Sequence, residues 1–419
     1  MSLLIKNGFI VSRNHAADIF IERDTITRIG SGIAEKADRV IDASGLHVFL
    51  GFLDMHCHLR EPGFIQKEDV LSGSRAAAAG GFTQICPMPN TNPPTDSIEL
   101  IRFILERQAS VKVSPVACIT KGQQGRELTD FATLTRAGAV GFSDDGLPVL
   151  SPYVMRRAML QAKPLGALLM LHEEDMDIRG NGAVNEGENA RTMGIPGIPA
   201  RAEEAMIERD IGLSRETLCL IHICHVSTAG SVELIRRAKR EGAPVTCETA
   251  PHYFSLDDSA ILSGDTNTKV NPPIRSAADV AAIKQGIADG TIDAIATDHA
   301  PHTAEDKAGG FEKAAFGLIG FETAFSLGYM HLVEPGIISL ARLEELMSAN
   351  PRRILGLGGA LAEGEAADIA LCNLNETYIY TKDSVVSRSK NSPFINKELK
   401  GKAVCTIVNG EVKYDRQAD

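Results

Sequence analysis

The chain has 419 residues, 44% hydrophobic and 23% charged, a globular balance that excludes long disordered tails. Its 43 basic and 54 acidic residues give a net charge of -11, with no Lys/Arg block able to track a phosphate backbone, which excludes nucleic acid as a partner. The opening MSLLIKNGFIVSRN is too interrupted for a secretory core, and no apolar run reaches the roughly 18 residues of a membrane span. The reading is a soluble, cytoplasmic protein without membrane contact. Eight cysteines, at 57, 86, 118, 219, 224, 247, 372 and 405, form no CxxC pair and are expected as reduced core residues.

From Leu3 to Leu50, short alternating runs (LLIKNGFIV, DIFIERD, TITRIG, RVIDASG) predict strands of a small β unit. The texture returns near the far end in ADIALCNL and AVCTIVNGEVKY, where Asn409-Gly410 predicts a tight hairpin turn. Two β-rich ends around a different middle predict a discontinuous domain of residues 1–50 plus 360–419, a small β-sandwich, flanking a unit of residues 51–359.

That middle alternates apolar strand-like runs with amphipathic helical ones. The strands are GFLDMHCH, FTQICPM, VKVSPVACI, AVGFSDD, ALLMLHEE, LCLIHICHVS, PVTCETAPHYF and IDAIATDHAPH. Between them lie helical stretches such as LSGSRAAAAG, IELIRFILERQ, VMRRAMLQA, AEEAMIERDIGL, VELIRRAKREG and AADVAAIKQGIADG. The fold class is therefore α/β, a (β/α)8 TIM-like barrel, which alone uses about 250 residues.

In such barrels chemistry collects at the C-terminal strand ends. Eight of the eleven histidines (56, 58, 172, 222, 225, 252, 299 and 302) fall in or just after the predicted strands. In an extended chain Asp54, His56 and His58 share a face, while Met55 and Cys57 point the other way. His56 and His58 close the first strand, Asp144 and Asp145 the fourth, His172 the fifth, His225 the sixth and Asp298 the eighth. Such imidazoles and carboxylates at one mouth fit zinc, and their number suits two ions joined by a carboxylate better than one ion with an open position. Two ions sharing a water would supply hydroxide near neutral pH, which is hydrolytic machinery.

The stretches GFLDMHCHLREPG, AAAAGGFTQICPMPNTNPPTD, GFSDDG, HICHVS, VNPPIRS and TDHAPH resemble the amidohydrolase superfamily, and within it the bacterial class I dihydroorotases. The likeness spans first strand to eighth and extends to the flanking β segments. It implies that His56, His58 and Asp298 bind one Zn2+, that His172 and His225 bind a second, and that Asp145 and a hydroxide bridge them. Asp144 is the alternative bridge. It also implies that Arg60, Asn90 and His302 bind the substrate carboxylate, that His58 and Asn271 make further substrate contacts, and that Phe316 and Gly317 meet the ring through their backbone. Asp298 would carry the proton in the reversible hydrolysis of dihydroorotate to N-carbamoyl-L-aspartate, a step of pyrimidine biosynthesis.

A fixed guanidinium suits recognition of a carboxylate beside a cyclic imide. The alternative for Arg60 is a structural salt bridge with Glu61 or Asp69. His222, His252 and His299 are expected to support the site or the core, and Asn185, Glu186 and Gly187 begin a loop that could border the mouth. Competing functions are hydantoinase or dihydropyrimidinase, and allantoinase, whose fourth strand typically ends in a carboxylated lysine absent from AVGFSDDG. A non-catalytic scaffold for aspartate transcarbamoylase is the other reading. The expected assembly is a homodimer acting on a small molecule, with a transcarbamoylase as a possible partner.

Overall fold

Ile369, Ala370, Leu371 and Cys372 are all buried, and the terminal segments do assemble into one sheet in the computed structural model, which describes residues 2–416. Its strand order is Glu411–Asp415, Glu398–Val408, Ile369–Ile379, His47–Leu50, Ser2–Ile10, His15–Glu22 and Thr25–Gly30, with Arg39–Asp42 also paired to Ser2–Ile10. The two ends of the chain meet where Ile369 faces Leu50 and Cys372 faces His47 in antiparallel register. Leu3, Ile5, Ile19, Val48, Ile369 and Ile407 form its buried side. The hairpin at Asn409-Gly410 is present: Val408 pairs with Glu411, and both turn residues have positive φ, 47° and 74°.

The middle of the chain is α/β with parallel strands. The first, Phe52–Cys57, pairs with the second, Phe82–Pro87. The third is in two pieces, Lys112–Val113 beside the second strand and Val116–Ala117 beside the fourth, Gly141–Phe142. Pro115 lies at the break, where it has no N–H to give either neighbour. The fifth (Leu169–Leu171), sixth (Ile221–Ile223), seventh (Val245–Thr249) and eighth (Ala294–Ile295) follow in sequence order. Beyond the eighth strand, Asp298 N–H donates to His56 O at 3.0 Å and His58 N–H to His299 O at 2.8 Å, so the ladder returns to the first strand.

Six helices occupy the predicted amphipathic stretches: Val70–Ala79, Ile98–Leu105, Pro152–Ala162, Ala200–Thr217, Ala229–Arg240 and Ala277–Ala288. Asp69, Ser97, Ser151, Thr228 and Ser276 cap five of them through their side chains. One predicted strand is too long: PVTCETAPHYF leaves the ladder at Thr249 and becomes a helical turn over Pro251–Ser255. Proline at the first helical position presets φ and offers no N–H to a ladder. All eight cysteines are buried and unpaired, and no helix among the described residues is long and apolar enough to cross a membrane.

Candidate active site

The strand ends bring four imidazoles and two carboxylates into contact. The Asp145 carboxylate is central: its Oδ1 lies 3.4 Å from His56 Nε2, 3.5 Å from His172 Nδ1 and 3.6 Å from His225 Nε2. Its Oδ2 lies 3.6 Å from His58 Nε2 and accepts from Asn90 Nδ2 at 3.1 Å. Asp298 Oδ1 is 3.1 Å from His58 Nε2 and 3.7 Å from His56 Nε2. His172 Nδ1 and His225 Nε2 approach to 2.9 Å. Burial opposes charge throughout, yet the His56 charge and hydrogen bonds from His172 and His225 hold Asp145 well below the usual carboxylate range. The His58 hydrogen bond does the same for Asp298, and Asp145 raises His56.

Asp144 goes elsewhere. Its carboxylate accepts the Ile119 and Thr120 N–H groups at 2.9 and 3.1 Å and the Thr120 hydroxyl. It therefore fastens the end of the third strand, and burial pushes its pKa up to about 6.

The nest fits a metal. His56 Nε2, Asp145 Oδ1 and His172 Nε2 are buried without a hydrogen-bond partner, a costly state for polar atoms that have no other task. Ligand atoms of His56, His58 and Asp298, and of His56, Asp145 and His225, lie within 4.8 Å of one another. Three residues here, Arg60, His225 and Asp298, have positive φ of 60°, 36° and 48°. Non-glycine residues are held in that region only where surrounding contacts over-determine them, commonly at functional sites.

Beside the nest opens a cavity of about 250 Å³, lined by His58, Arg60, Asn90, Asn271, His302, Phe316 and Gly317 together with Asp145, His172, His225 and Asp298. The proposed alternative for Arg60 does not hold: Glu61 pairs with Arg107 and Asp69 with Arg388. Arg60 Nε donates instead to Pro301 O at 3.1 Å, and its terminal nitrogen lies 3.1 Å from His302 Nε2. Burial brings its pKa down to about 10. His302 is neutral: burial, then the Arg60, Lys67 and Lys307 cations, depress it to about 2. Its Nδ1 lies 3.3 Å from Lys67 Nζ, and its Nε2 lies 2.8 Å from Phe316 O. At Gly317, φ 132°, an added Cβ would lie 2.7 Å from Ala300 Cβ, so this loop needs glycine to approach.

Several contributors escape the motif reading. Glu248, in the seventh strand, accepts from His56 Nδ1 at 2.9 Å and meets His222 Nε2 at 3.3 Å, which orients the His56 ring. Glu174 and Arg179 line the cavity; their side chains pair at 3.1 Å, and Glu174 also accepts from Asn271 Nδ2 at 3.0 Å. Glu174 stands two residues after His172, the spacing of His56 and His58, which is the signal that could have found it. His299 stacks on Phe321 and faces Glu68, and His252 is buried with its pKa lowered to about 4 by burial. Asn185 is tied to Asp258 and Arg275, away from the cavity.

A family model described as Dihydro-orotase-like matches residues 46–231. The dihydroorotase of Caldanaerobacter subterraneus subsp. tengcongensis is 46% identical over 422 residues, covering 99% of this chain and 98% of that one. The dihydroorotase of Geobacter metallireducens is 45% identical over 99% of this chain and 100% of its own. This chain belongs to the dihydroorotase family. Among solved structures, the L-hydantoinase (dihydropyrimidinase) from Arthrobacter aurescens superposes with a TM-score of 0.89 at 27% identity, covering 99% of this chain and 96% of that one. In this dihydroorotase-family chain the fourth strand leads into Asp144 and Asp145, and among the described residues no lysine lines the cavity.

Proposed function

We propose that the chain is a zinc-dependent dihydroorotase, interconverting (S)-dihydroorotate and N-carbamoyl-L-aspartate in pyrimidine biosynthesis. The observation that carries this reading is Arg60, a guanidinium at the cavity wall beside the His/Asp nest, paired with no carboxylate among the described residues. A cation so placed is matched by a ligand carboxylate. Asn90 serves the same end: its Oδ1 takes the His58 Nδ1 proton at 2.9 Å, one Nδ2 proton goes to Asp145, and the second is left for the substrate. Neutral His302 completes that side, and Asn271 Oδ1, buried without a partner, faces the ring with Phe316 and Gly317.

In this reading His56, His58 and Asp298 would hold one zinc and His172 and His225 a second, with Asp145 available to both. Bound there, zinc supplies polarisation of the scissile carbonyl and a water acidic enough to attack near pH 7. Asp298 takes the proton of the attacking water and delivers it to the departing ring nitrogen, which breaks the C–N bond; in reverse its protonated form gives a proton to the oxygen expelled from the carboxyl carbon and takes one from the nitrogen that closes the ring. Arg60 and His302 fix the carboxylate, so that the amide carbonyl faces the nest.

The closed parallel ladder supports a (β/α)8 barrel over 51–359, with residues 1–50 and 360–419 as its β-sandwich companion. A cytoplasmic homodimer is the proposed assembly, with aspartate transcarbamoylase as a candidate partner. The intact nest weighs against a purely scaffolding role.

The test is turnover of dihydroorotate, hydantoin and allantoin by one preparation whose zinc content is measured. Preferred hydrolysis of dihydroorotate with about two zinc ions per chain is expected. Preference for hydantoin or allantoin, or inertness of zinc-loaded protein, would sink the reading.

A further inference from the structure

Between the strands Ile369–Ile379 and Glu398–Val408, the segment Val385–Asn391 leaves the terminal sheet and runs, with a bend at Ser387–Arg388, along the central unit. It alternates strictly: Val385, Ser387, Ser389 and Asn391 are buried, while Val386, Arg388 and Lys390 are exposed. In a strand that covers a core the inward residues are apolar. Here three of the four inward residues are small and polar, so each must find a partner inside.

Their partners are the two loops that carry the substrate side of the cavity. Ser387 Oγ donates to Glu68, and Ser389 Oγ donates to Lys67 O at 2.6 Å, both on the loop that follows Arg60. Asn391, 4% exposed, enters between the loop after the eighth strand and the Phe316–Gly317 loop. Its Oδ1 accepts the His302 N–H at 3.0 Å, and its two Nδ2 protons go to Ala300 O at 3.0 Å and Gly317 O at 3.1 Å. Its own carbonyl accepts the Ile319 N–H at 2.9 Å. The amide has one orientation only, because a flip would set its oxygen against two carbonyl oxygens.

We propose that Asn391, presented by the C-terminal segment, is a positioning residue that holds His302 and Gly317 in register for the substrate carboxylate and ring, making residues 387–391 part of the active site. It touches neither substrate nor metal ligand; it acts through the backbone of the residues that do. The proposal rests on the dihydroorotate reading above. If zinc-loaded wild-type enzyme does not turn over dihydroorotate, that reading fails; wild-type turnover with indifferent variants overturns this inference alone.

Two variants of the zinc-loaded enzyme test it. Asn391→Ala removes all three side-chain bonds. Asn391→Asp keeps the His302 N–H acceptor but turns an oxygen toward Ala300 O and Gly317 O, and it preserves the volume that folding needs. For both, KM for dihydroorotate and the Kd of orotate, an uncleavable ring carboxylate read by calorimetry, should rise about tenfold or more. In the same variants kcat should change by less than about threefold, and zinc content should stay at the wild-type level. A merely structural residue would lower the melting temperature and leave KM and Kd alone. Folded variants with KM and Kd within about twofold of wild type, or a loss confined to kcat and zinc, overturn the proposal. Hydrogen exchange on the unaltered enzyme puts the same question without a variant. Orotate should slow exchange over 385–392 together with 298–303, and no change over 385–392 would count against Asn391.

Discussion

Asp144 and Asp145 are neighbours whose carboxylates serve opposite sides of the fourth strand's end: Asp144 takes the Ile119 and Thr120 N–H groups, and Asp145 lies among four histidines. Asp145→Ala should therefore lose bound zinc and activity together. Asp144→Ala strands two buried N–H donors, costing about 2–4 kcal/mol of stability, while zinc content stays near normal. Metal analysis and thermal unfolding of both proteins separate the roles, and the reverse ranking would move the metal-binding carboxylate to Asp144.

Arg60 meets a carbonyl and an imidazole through a planar fork. Lysine keeps the charge and loses the fork, so Arg60→Lys should raise KM for dihydroorotate about tenfold to a hundredfold with unchanged zinc. Near-normal kinetics would return Arg60 to a structural role.

In the proposed mechanism Asp298 is ionised to take a proton in hydrolysis and protonated to give one in ring closure. The hydrolytic rate should therefore rise with pH and the synthetic rate fall, as mirror profiles. Asp298→Asn should depress both directions by roughly a hundredfold or more, because an amide cannot shuttle the proton. Substantial turnover by a zinc-replete variant would assign the proton to another group.

Glu344 lies far from this chemistry, buried where its Oε1 accepts the Leu50 N–H at 2.8 Å. Burial raises its pKa to about 7 from an ordinary 4.5. The folded chain thus keeps a proton that the unfolded chain releases between those values, and stability falls as pH rises through that window. Glu344→Gln keeps the acceptor and removes the charge, so it should be the more stable form at pH 8 by on the order of 3 kcal/mol and close to wild type at pH 4. Melting temperatures at the two pH values check this; an equal difference at both would reject the burial account.

The parallel strands and the nest were legible because apolar runs ended in His or Asp, and a strand's alternation aims such residues together. Alternation also dictates that Asp144 and Asp145 face apart, but not which faces in; Thr120, just beyond the third strand, decides that. Glu248 was hidden inside an apolar run, where a carboxylate without a visible partner carried no assignment. SRSKN reads as an exposed polar loop, because nothing local says that residues about 70 to 320 positions away supply the partners of its serines and asparagine. The break at Pro115 and the turn at Pro251 were readable from proline's missing N–H and were overrun by the apolar pattern around them.

The pairing of Leu50 with Ile369 sets an order of events at the ribosome. The first fifty residues emerge early, but the strand that covers the His47–Leu50 flank is made more than three hundred residues later. Until then that flank is an open β edge of the kind that recruits foreign strands, so the nascent chain must be shielded through synthesis of the whole catalytic middle. A stalled or prematurely released chain would expose this edge, and aggregation or chaperone capture of such fragments is its physical consequence.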